Sequence, residues 1–313
     1  MPFTAKSGKF NASINTLTVG TGDKAITLGG ENVLPFYTFD APIENAPKVG
    51  IEITDGGLAE EPECVRKYYE GCETVADMAK KAASFEGVDF LSLRLEGGDP
   101  NGANRPTEEL IHIVKDVAAA VDLPLVICGC KNVEKDAELL SKAAEALDGK
   151  NAVMLAAKEE NYKTVGAAAG LAYKQVVGAE SADDINLAKQ LNVLMTQLGV
   201  DSKAIVMNVG TAAAGYGFEY VVSTMDRIKA AALSQGDATL QMPIITPVAS
   251  ETWGVKEAVA SEEDMPEWGP EEERGIDMEV ETAVADLASG SNAVILKHPE
   301  SVATVSKLIK ALV

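Results

Sequence analysis

Short apolar runs alternate with longer amphipathic stretches along most of the chain, and this repeat predicts its architecture. An apolar run followed by a polar turn and a helical pattern is typical of one strand–helix unit of a parallel sheet. The clearest unit is VDFLSLRLEGGDPNGANRP, residues 88–106, in which a strand over 90–95 meets a turn rich in glycine, aspartate and asparagine. Polar residues gather just after each strand, so we expect function at that end of the units.

Eight such units follow one another and favour a closed barrel. The predicted strands are 49–54, 90–95, 124–130, 152–156, 175–179, 204–209, 243–248 and 293–296. Strict alternation of strand and helix predicts an α/β protein with a (β/α)8 TIM barrel over residues 48–313. An open doubly wound sheet is the competing architecture, but it usually has fewer units. No G-x-G-x-x-G follows any strand to indicate its dinucleotide-binding form.

Residues 1–47 do not fit the repeating unit and are interpreted as an N-terminal extension. Residues 14–19 alternate between apolar and polar, a Gly-Thr-Gly-Asp turn follows, and residues 25–28 form a second short run. This pattern predicts a β-hairpin. An irregular segment with Pro35, Pro42 and Pro47 then leads into the barrel. We expect the extension to cover one end of the barrel.

The segment after the seventh strand is unusually long and acidic. Residues 251–281 hold twelve acidic and two basic residues together with Trp253 and Trp268. A loop of this length inside a compact domain is usually functional or binds a partner. The two tryptophans favour a partner surface, and a solvated acidic excursion with local helix is the alternative interpretation.

Length and charge narrow the possible classes of function. A chain of 313 residues can form one large domain or two average ones. Its 27 basic and 48 acidic residues give a net charge of −21, so nucleic acid and anionic membranes are not expected partners. No apolar run is long enough to span a bilayer, and the first residues lack the apolar core of a signal peptide. We therefore expect a cytoplasmic protein.

Cysteine and histidine spacing argues against a metal site in this chain. The four cysteines are Cys64, Cys72, Cys128 and Cys130, and no two of them form a C-x-x-C pair. This spacing predicts neither a zinc ribbon nor an iron–sulfur cluster held by this chain alone, and ordinary core cysteines are expected. Two histidines, His112 and His298, are too few for a histidine-rich site.

Reactive residues of such barrels lie at the carboxyl ends of the strands. The polar residues that follow the predicted strands should therefore form a ring of possible binding groups. A nucleophile elbow of the form Gly-x-Ser-x-Gly is absent. Lys131 or Lys158 could form a Schiff base, and Glu96 with Glu180 could act as a carboxylate pair, but neither pattern is specific. We predict no catalytic residue. The predicted ligand-binding residues are Asp55, Glu96, Asn101, Glu180, Asn208, Thr246 and Ser250.

Several stretches from Thr27 to Ser301 together resemble one known family. They are TLGGENVLPFYTFD, RLEGGDPN, NAVMLAAKEENYK, INLAKQLNVL, GYGFEYVVSTMDRI, MPIITPVASETWGVKE, WGPEEERGID and ILKHPES. In combination they are similar to the corrinoid iron–sulfur protein small subunit, which is the acetyl-CoA decarbonylase/synthase delta subunit. The resemblance spans nearly the whole chain and is more specific than any single stretch.

The resemblance implies a barrel that pairs with a large subunit in a heterodimer. In that family the large subunit carries a four-iron–four-sulfur cluster, and a corrinoid (cobalamin) lies between it and the top of the barrel. The implied role is to cover and position the corrinoid, which carries a methyl group from methyltetrahydrofolate:corrinoid methyltransferase to acetyl-CoA synthase. Both enzymes would be transient partners in the reductive acetyl-CoA pathway, and this chain would be a non-catalytic subunit.

Two alternatives remain open beside that role. The first is a pterin-binding methyltransferase, for which Asn208 is compatible. Related pterin-binding barrels use aspartate and asparagine at positions where this chain has Glu180 and Glu96, which counts against it. The second is an assembly scaffold that binds no ligand and docks a partner through residues 251–281. The D-x-H-x-x-G motif that supplies a histidine ligand to cobalt in other cobalamin domains is absent.

Overall fold

The computed structural model of the chain describes residue 8 and residues 10–313. Its first element is a hairpin of two antiparallel strands, β1 (Leu17–Val19) and β2 (Ile26–Leu28), in which Thr18 lies opposite Thr27. The N-terminal hairpin predicted from the alternating pattern is confirmed, although its strands are shorter than predicted. Residues 1–7 and 9 of the predicted extension lie outside the described residues.

Eight parallel strands form the centre of the described chain. They are β3 (Lys48–Thr54), β4 (Phe90–Arg94), β5 (Leu125–Cys128), β6 (Val153–Ala157), β7 (Val176–Glu180), β8 (Ile205–Asn208), β9 (Ile245–Thr246) and β10 (Ala293–Leu296). Hydrogen bonding joins them in the order β8-β7-β6-β5-β4-β3-β10-β9. A parallel bridge between Met207 and Ile244 joins β8 to β9, so the ring closes. The predicted (β/α)8 barrel is confirmed.

Helices connect the strands and cover the outside of the barrel. They are α1 (Glu63–Arg66), α2 (Val75–Ala82), α3 (Thr107–Ala120), α4 (Val133–Ala146), α5 (Tyr162–Val165), α6 (Ile185–Leu198), α7 (Phe218–Ser234), α8 (Val248–Thr252), α9 (Lys256–Val259), α10 (Glu271–Ser289) and α11 (Pro299–Leu312). A π-helical stretch, Gly166–Ala172, extends α5. The side chain of Asp184 caps α6 by accepting from the backbone N–H groups of Asn186 and Leu187.

The barrel interior is filled by side chains rather than left as a pore. Val126, Val153, Val206 and Ile295 are buried there, and they alternate along their strands with residues that face the helices. Gly50 on β3 makes room for the ring of Phe90 on β4, since a Cβ at Gly50 would lie 2.2 Å from that ring. Side chains therefore fill the barrel interior at the amino-terminal end of the strands.

The hairpin closes the end of the barrel at which the strands begin. Leu17, Val19 and Leu28 belong to the same buried cluster as the interior side chains of the strands. The backbone N–H of Gly20 donates to the carbonyl of Asn151 just before β6, at 2.8 Å. Because this end is closed by apolar packing, the opposite end, where the strands finish, is the barrel's mouth.

The long acidic segment after β9 is present but contains more helix than predicted. It includes α8, α9 and a 3₁₀ turn at Pro266–Trp268, and its irregular part ends at Pro270, because α10 begins at Glu271. The three glutamates that open α10 suit the positive end of a helix dipole. The prediction that both tryptophans form a partner surface is wrong for Trp253, which is buried, whereas Trp268 is exposed.

Candidate functional site at the barrel mouth

The barrel mouth divides into two halves of different character. The ends of β10, β3 and β4 form one part, which we call the closed half. The ends of β5 to β9 form the other part, which we call the open half. Charged side chains follow the strands in both halves. In the closed half they bury one another, while in the open half they surround a cavity.

Two buried ion pairs fill the closed half. Arg94 Nη2 lies 2.8 Å from Glu52 Oε2, and Lys297 Nζ lies 2.8 Å from Glu61 Oε2. Burial alone would raise the pKa of Glu52, but the adjacent Arg94 guanidinium overcomes that effect and lowers it. The Arg94–Glu52 pair is therefore charged, and the two pairs together occupy the space that a ligand would need.

The carboxylate of Glu279 on α10 joins that helix to the end of β10. Its two oxygens accept from the backbone N–H groups of Lys297, at 2.6 Å, and His298, at 3.1 Å. Complete burial raises the pKa of Glu279 to about 7, although the backbone donors favour its charged form. Because both oxygens are occupied by backbone groups, the contacts assign Glu279 to the fold.

His298 also serves the closed half as a structural residue. Its ring lies 6.0 Å from that of Trp253 at an interplanar angle of 14°, and its Nε2 lies 3.2 Å from a carboxylate oxygen of Glu272. The Nδ1 atom accepts from the backbone N–H of Glu300 and so caps α11. Burial lowers the pKa of His298 despite the nearby Glu272, so the imidazole is neutral near pH 7.

The open half contains a polar cavity of about 220 Å³. Its floor is formed by strand ends and its wall by the loops that follow them. The polar lining residues are Arg94, Lys131, Asp136, Lys158, Glu180, Asp183, Asn208, Thr211, Ser250 and Glu251. Three cations and four carboxylates thus face one small volume.

Ion pairs neutralise most of the charge around this cavity. Lys158 Nζ lies 2.9 Å from Glu180 Oε1, and Lys131 Nζ lies 2.9 Å from Glu251 Oε1. The Asn208 side-chain oxygen accepts from the backbone N–H of Gly210 at 3.1 Å, and its amide nitrogen lies 3.5 Å from Glu180 Oε2. Paired charges with free hydrogen-bonding capacity favour a neutral polar ligand over a phosphate.

The structure brings only some of the predicted ligand-binding residues together. Glu180, Asn208 and Ser250 line the cavity in the open half. The other four, Asp55, Glu96, Asn101 and Thr246, do not line it.

Three of these four follow strands of the closed half. Asp55 is buried and accepts from the backbone N–H of Gly97 at 2.9 Å, while Arg105 contacts its other oxygen at 3.2 Å. Glu96 and Asn101 are exposed on the β4–α3 loop, where Asn101 donates its backbone N–H to Asp99. Asp55 thus stabilises this loop, whereas Glu96 and Asn101 lie at the rim outside the cavity.

Thr246, the fourth, lies on the outer side of β9. Its hydroxyl is 2.8 Å from that of Ser291, and the residue is fully buried. Its neighbour Ile245 occupies the barrel interior instead, since successive side chains of a strand face opposite sides. Thr246 therefore packs between the barrel and its helices.

Sequence reasoning missed several polar residues of the cavity, among them Asp136, Asp183 and Thr211, and also Arg94, which belongs to the closed half and borders the cavity. Arg94 shares its face of β4 with the interior residue Phe90, so strand alternation could have identified it. Asp136 belongs to α4 and reaches back to accept from the backbone N–H of Cys130 at 2.6 Å. No local pattern indicates that contact, which needs Gly129, because a Cβ there would lie 2.4 Å from the Asp136 carboxylate.

The described residues, 8 and 10–313, contain no group of three or more histidine, cysteine, aspartate or glutamate side chains placed to hold a metal ion. Their four cysteines are free thiols, of which Cys128 and Cys130 are buried. Burial raises the pKa of Cys128 to about 11, so this thiol is protonated at neutral pH. Among the described helices, none is both long and apolar enough to cross a bilayer.

Relatives of known name cover nearly the whole chain. The chain is 36% identical over 302 residues to the acetyl-CoA decarbonylase/synthase complex subunit delta of Archaeoglobus fulgidus, covering 94% of this chain and 65% of that protein. It is 33% identical to subunit delta 1 of Methanosarcina thermophila, covering 94% of this chain and 67% of that protein. The chain thus spans about two thirds of the length of these relatives.

Solved structures with the same fold are far more distant in sequence. A dihydropteroate synthase from Xanthomonas albilineans superposes with a TM-score of 0.58 at 14% identity, covering 95% of this chain and 98% of that one. The enzyme from Vibrio fischeri gives 0.57 at 11% identity, covering 94% of this chain and 97% of that one. These structures support the TIM-barrel fold and nothing finer.

A comparison with protein families matches residues 16–298 to the CO dehydrogenase/acetyl-CoA synthase delta subunit. This range includes the hairpin, all eight barrel strands and both halves of the mouth. Together with relatives above 30% identity, it establishes what the local motifs indicated. The chain belongs to the CO dehydrogenase/acetyl-CoA synthase delta subunit family.

Proposed function

We propose that this chain covers and positions a corrinoid held mainly by a large partner subunit, so that the corrinoid can carry a methyl group to acetyl-CoA synthase. The observation that carries the proposal is the open half of the mouth, where a polar cavity with paired charges faces outward from a barrel closed at its other end. Membership of the delta subunit family supports the same role.

The size of the cavity indicates how the ligand would be bound. Pockets that enclose a small molecule usually measure roughly 300 to 1000 Å³. A cavity of about 220 Å³ is too small for a corrin macrocycle. The macrocycle would lie across the rim with only a peripheral group entering the cavity, and a second subunit would have to cover its other face.

The donor set at the rim suits the amide side chains of a corrinoid. Asn208 and Ser250 supply an amide and a hydroxyl, and Lys158 with Glu180 supplies one cation and one carboxylate at about one-third exposure or less. Such groups can exchange their mutual contacts for hydrogen bonds to neutral amides. A bound corrinoid supplies cobalt that accepts and releases a methyl group, while these side chains orient the macrocycle and exclude water.

The partners follow from this arrangement. The large subunit would carry the four-iron–four-sulfur cluster and the greater part of the corrinoid site, making a heterodimer with this chain. The methyltransferase that loads the methyl group and the acetyl-CoA synthase that receives it would bind in turn. Both would need access to the bound corrinoid, so this chain would have to leave it accessible at least once per cycle.

The proposal is tested on the co-expressed and co-purified heterodimer. We expect corrinoid and iron–sulfur absorption bands in the complex, and loss of corrinoid and of methyl acceptance when this chain is removed. A large subunit that keeps both its corrinoid and its methyl-accepting activity without the barrel would overturn the proposal. Deletion of residues 261–273 tests the scaffold alternative, which predicts loss of assembly from a folded barrel.

A pterin-binding methyltransferase is the second candidate, because a cavity of this size is closer to a bicyclic ring than to a macrocycle. Titration of the purified chain with methyltetrahydrofolate separates the two candidates. Tight binding that Asn208→Ala abolishes would favour the pterin function over the corrinoid one.

A further inference from the structure

A strip of exposed aromatic residues lies beside the open half of the mouth, and we call it the aromatic flank. It consists of the exposed rings of Tyr216, Tyr220 and Trp268, together with the half-buried Phe218 at the start of α7 and the exposed aliphatic Val259 in the segment after β9. Tyr220 is 68% exposed, Tyr216 51% and Trp268 36%. Rings of this size are normally buried, and a group of them left in water marks an interaction surface.

Two adjoining grooves lie beside the aromatic flank, which contributes Phe218 to one and Trp268 to the other. One has a volume of about 640 Å³ and is lined by Ala214, Phe218 and Val222, among others. The other has a volume of about 380 Å³ and is lined by Trp268 and Met278, among others. Glu281 of α10 lines both, so the first groove, between α7 and α10, adjoins the second, between α10 and the segment after β9, and we call the pair the depression.

The depression carries a strong negative charge. Its carboxylates outnumber its cations by five to two, and the carboxylates are Glu219, Asp226, Glu257, Asp277 and Glu281. One of the two cations, Arg274, donates to the backbone carbonyls of Glu257, Ala260 and Gly269 and so holds the segment after β9 in place. Lys256 and Arg274 of this chain already lie over the Trp268 ring, at 5.7 and 5.8 Å from its centroid. The carboxylates and the exposed tyrosine rings suit further lysine and arginine side chains.

The aromatic flank is continuous with the mouth cavity through the loop between β8 and α7. Gly210 and Thr211 line the cavity, while Ala214 and Gly215 line the larger groove. This loop is fixed to α10 by two contacts, from the Thr211 hydroxyl to Asp286 at 2.8 Å and from the Ala214 N–H to Thr282 at 3.1 Å. A single partner resting on the mouth could therefore reach the flank without any rearrangement.

We infer that the aromatic flank docks the large partner subunit, through a protein face on which lysine and arginine side chains are interspersed with apolar ones. The inference rests on the proposed function for the identity of the partner, while the surface follows from exposure, charge and continuity with the mouth. The carboxylates steer the partner, and the apolar part of the flank supplies the buried area.

The test measures binding of the purified large subunit to the full chain and to two matched triple variants. The flank variant is Glu219→Lys/Tyr220→Ser/Asp226→Lys on α7. The control is Glu108→Lys/His112→Ser/Glu145→Lys, which reverses two charges and removes one exposed ring around a groove of about 550 Å³ between α3 and α4. Circular dichroism and thermal melting show whether each variant is folded.

We expect the flank variant to raise the dissociation constant by about 30-fold and the control by less than about threefold. The difference should shrink in high salt, since screening removes the electrostatic part. Hydroxyl-radical labelling of Tyr220 and Trp268 in the wild-type chain should decrease when the large subunit binds. Equal binding by both variants, or unchanged labelling, would overturn the docking surface. Failure of the wild-type chain to bind would instead overturn the proposed function.

Discussion

The closed and open halves of the mouth carry similar residues after their strands but use them differently. In the closed half, the side chains of Arg94, Glu61 and Lys297 are at most 9% exposed and are paired. In the open half, Lys131 is 60% exposed and Lys158 29% exposed. A buried charge cannot give up its partner without a large penalty, whereas a rim charge can exchange its partner for a ligand. Burial therefore separates structural charges from binding candidates.

The largest expected effect comes from breaking a pair in the closed half. Replacement of Lys297 by methionine leaves Glu61 as an unpaired charge that is almost fully buried. We expect a loss of about 3–5 kcal/mol in the free energy of unfolding, measured by urea denaturation. The double variant Lys297→Met/Glu61→Leu should recover most of that loss, because no uncompensated charge remains.

The matched change in the open half is Lys158→Met, which breaks the rim pair with Glu180. Here we expect the free energy of unfolding to fall by less than about 1 kcal/mol, because both partners remain solvated. Equal losses from Lys158→Met and Lys297→Met would show that the two halves do not differ in the way their burial indicates.

A second effect concerns the pH dependence of stability in the closed half. The pKa of Glu279 is about 7 in the folded chain, against 4.5 as its ordinary value. Between these values the unfolded chain ionises this carboxyl while the folded chain keeps it protonated, so its contribution to stability is lost as pH rises through 7. Glu279→Gln removes this dependence.

The measurement compares urea denaturation of the wild type and Glu279→Gln from pH 4.5 to 8. We expect the free energy of unfolding of the variant, relative to wild type, to increase by on the order of 2 kcal/mol over that range. The neutral His298, whose pKa is lowered, acts in the opposite direction but is present in both proteins and cancels. A difference that stays constant with pH would show that Glu279 is ionised throughout.

Much of the fold could be predicted because its signals are local. Apolar runs of strand length recur with helical patterns, and the predicted 293–296 coincides with β10 (Ala293–Leu296). The end of α6 also has a local signal, since Gly199 directly after it has the left-handed conformation that favours glycine. The start of α6 has one too, because Asp184 lies directly before the helix and caps it. The predicted elements therefore differ from the observed ones mostly in the residues at which they begin and end.

The two halves of the mouth could not be distinguished from the sequence, because their difference depends on distant contacts. Lys297 and Glu61 are separated by 236 positions, and Glu279 reaches the end of β10 from the middle of α10. Strand-end position alone therefore selected Asp55 from the closed half together with Asn208 from the open half. Only the folding of the loops decides which strand end remains accessible.

A third prediction sharpens the comparison with ligand binding. Asn208→Ala removes a side chain from the cavity, while Asn101→Ala removes the same group from the exposed β4–α3 loop. We expect Asn208→Ala to weaken corrinoid retention by the heterodimer by about tenfold, the equivalent of one or two hydrogen bonds. Asn101→Ala should change retention by less than twofold. Corrinoid absorbance after dialysis measures both, and identical retention would place the ligand outside the open half.

The smallest expected effect comes from Thr246→Val, which compares the two sides of a single strand. The hydroxyl of Thr246 contacts that of Ser291, which itself donates to the carbonyl of Ala293. Loss of one buried hydrogen bond should lower the free energy of unfolding by about 1 kcal/mol and leave corrinoid retention unchanged. Ser250→Ala, four residues further on and lining the cavity, should do the reverse: little loss of stability and a two- to threefold loss of retention. Weaker retention in Thr246→Val would mean that the corrinoid site senses the outer layer of the barrel, and the side of the strand on which a residue lies would then not separate packing from binding.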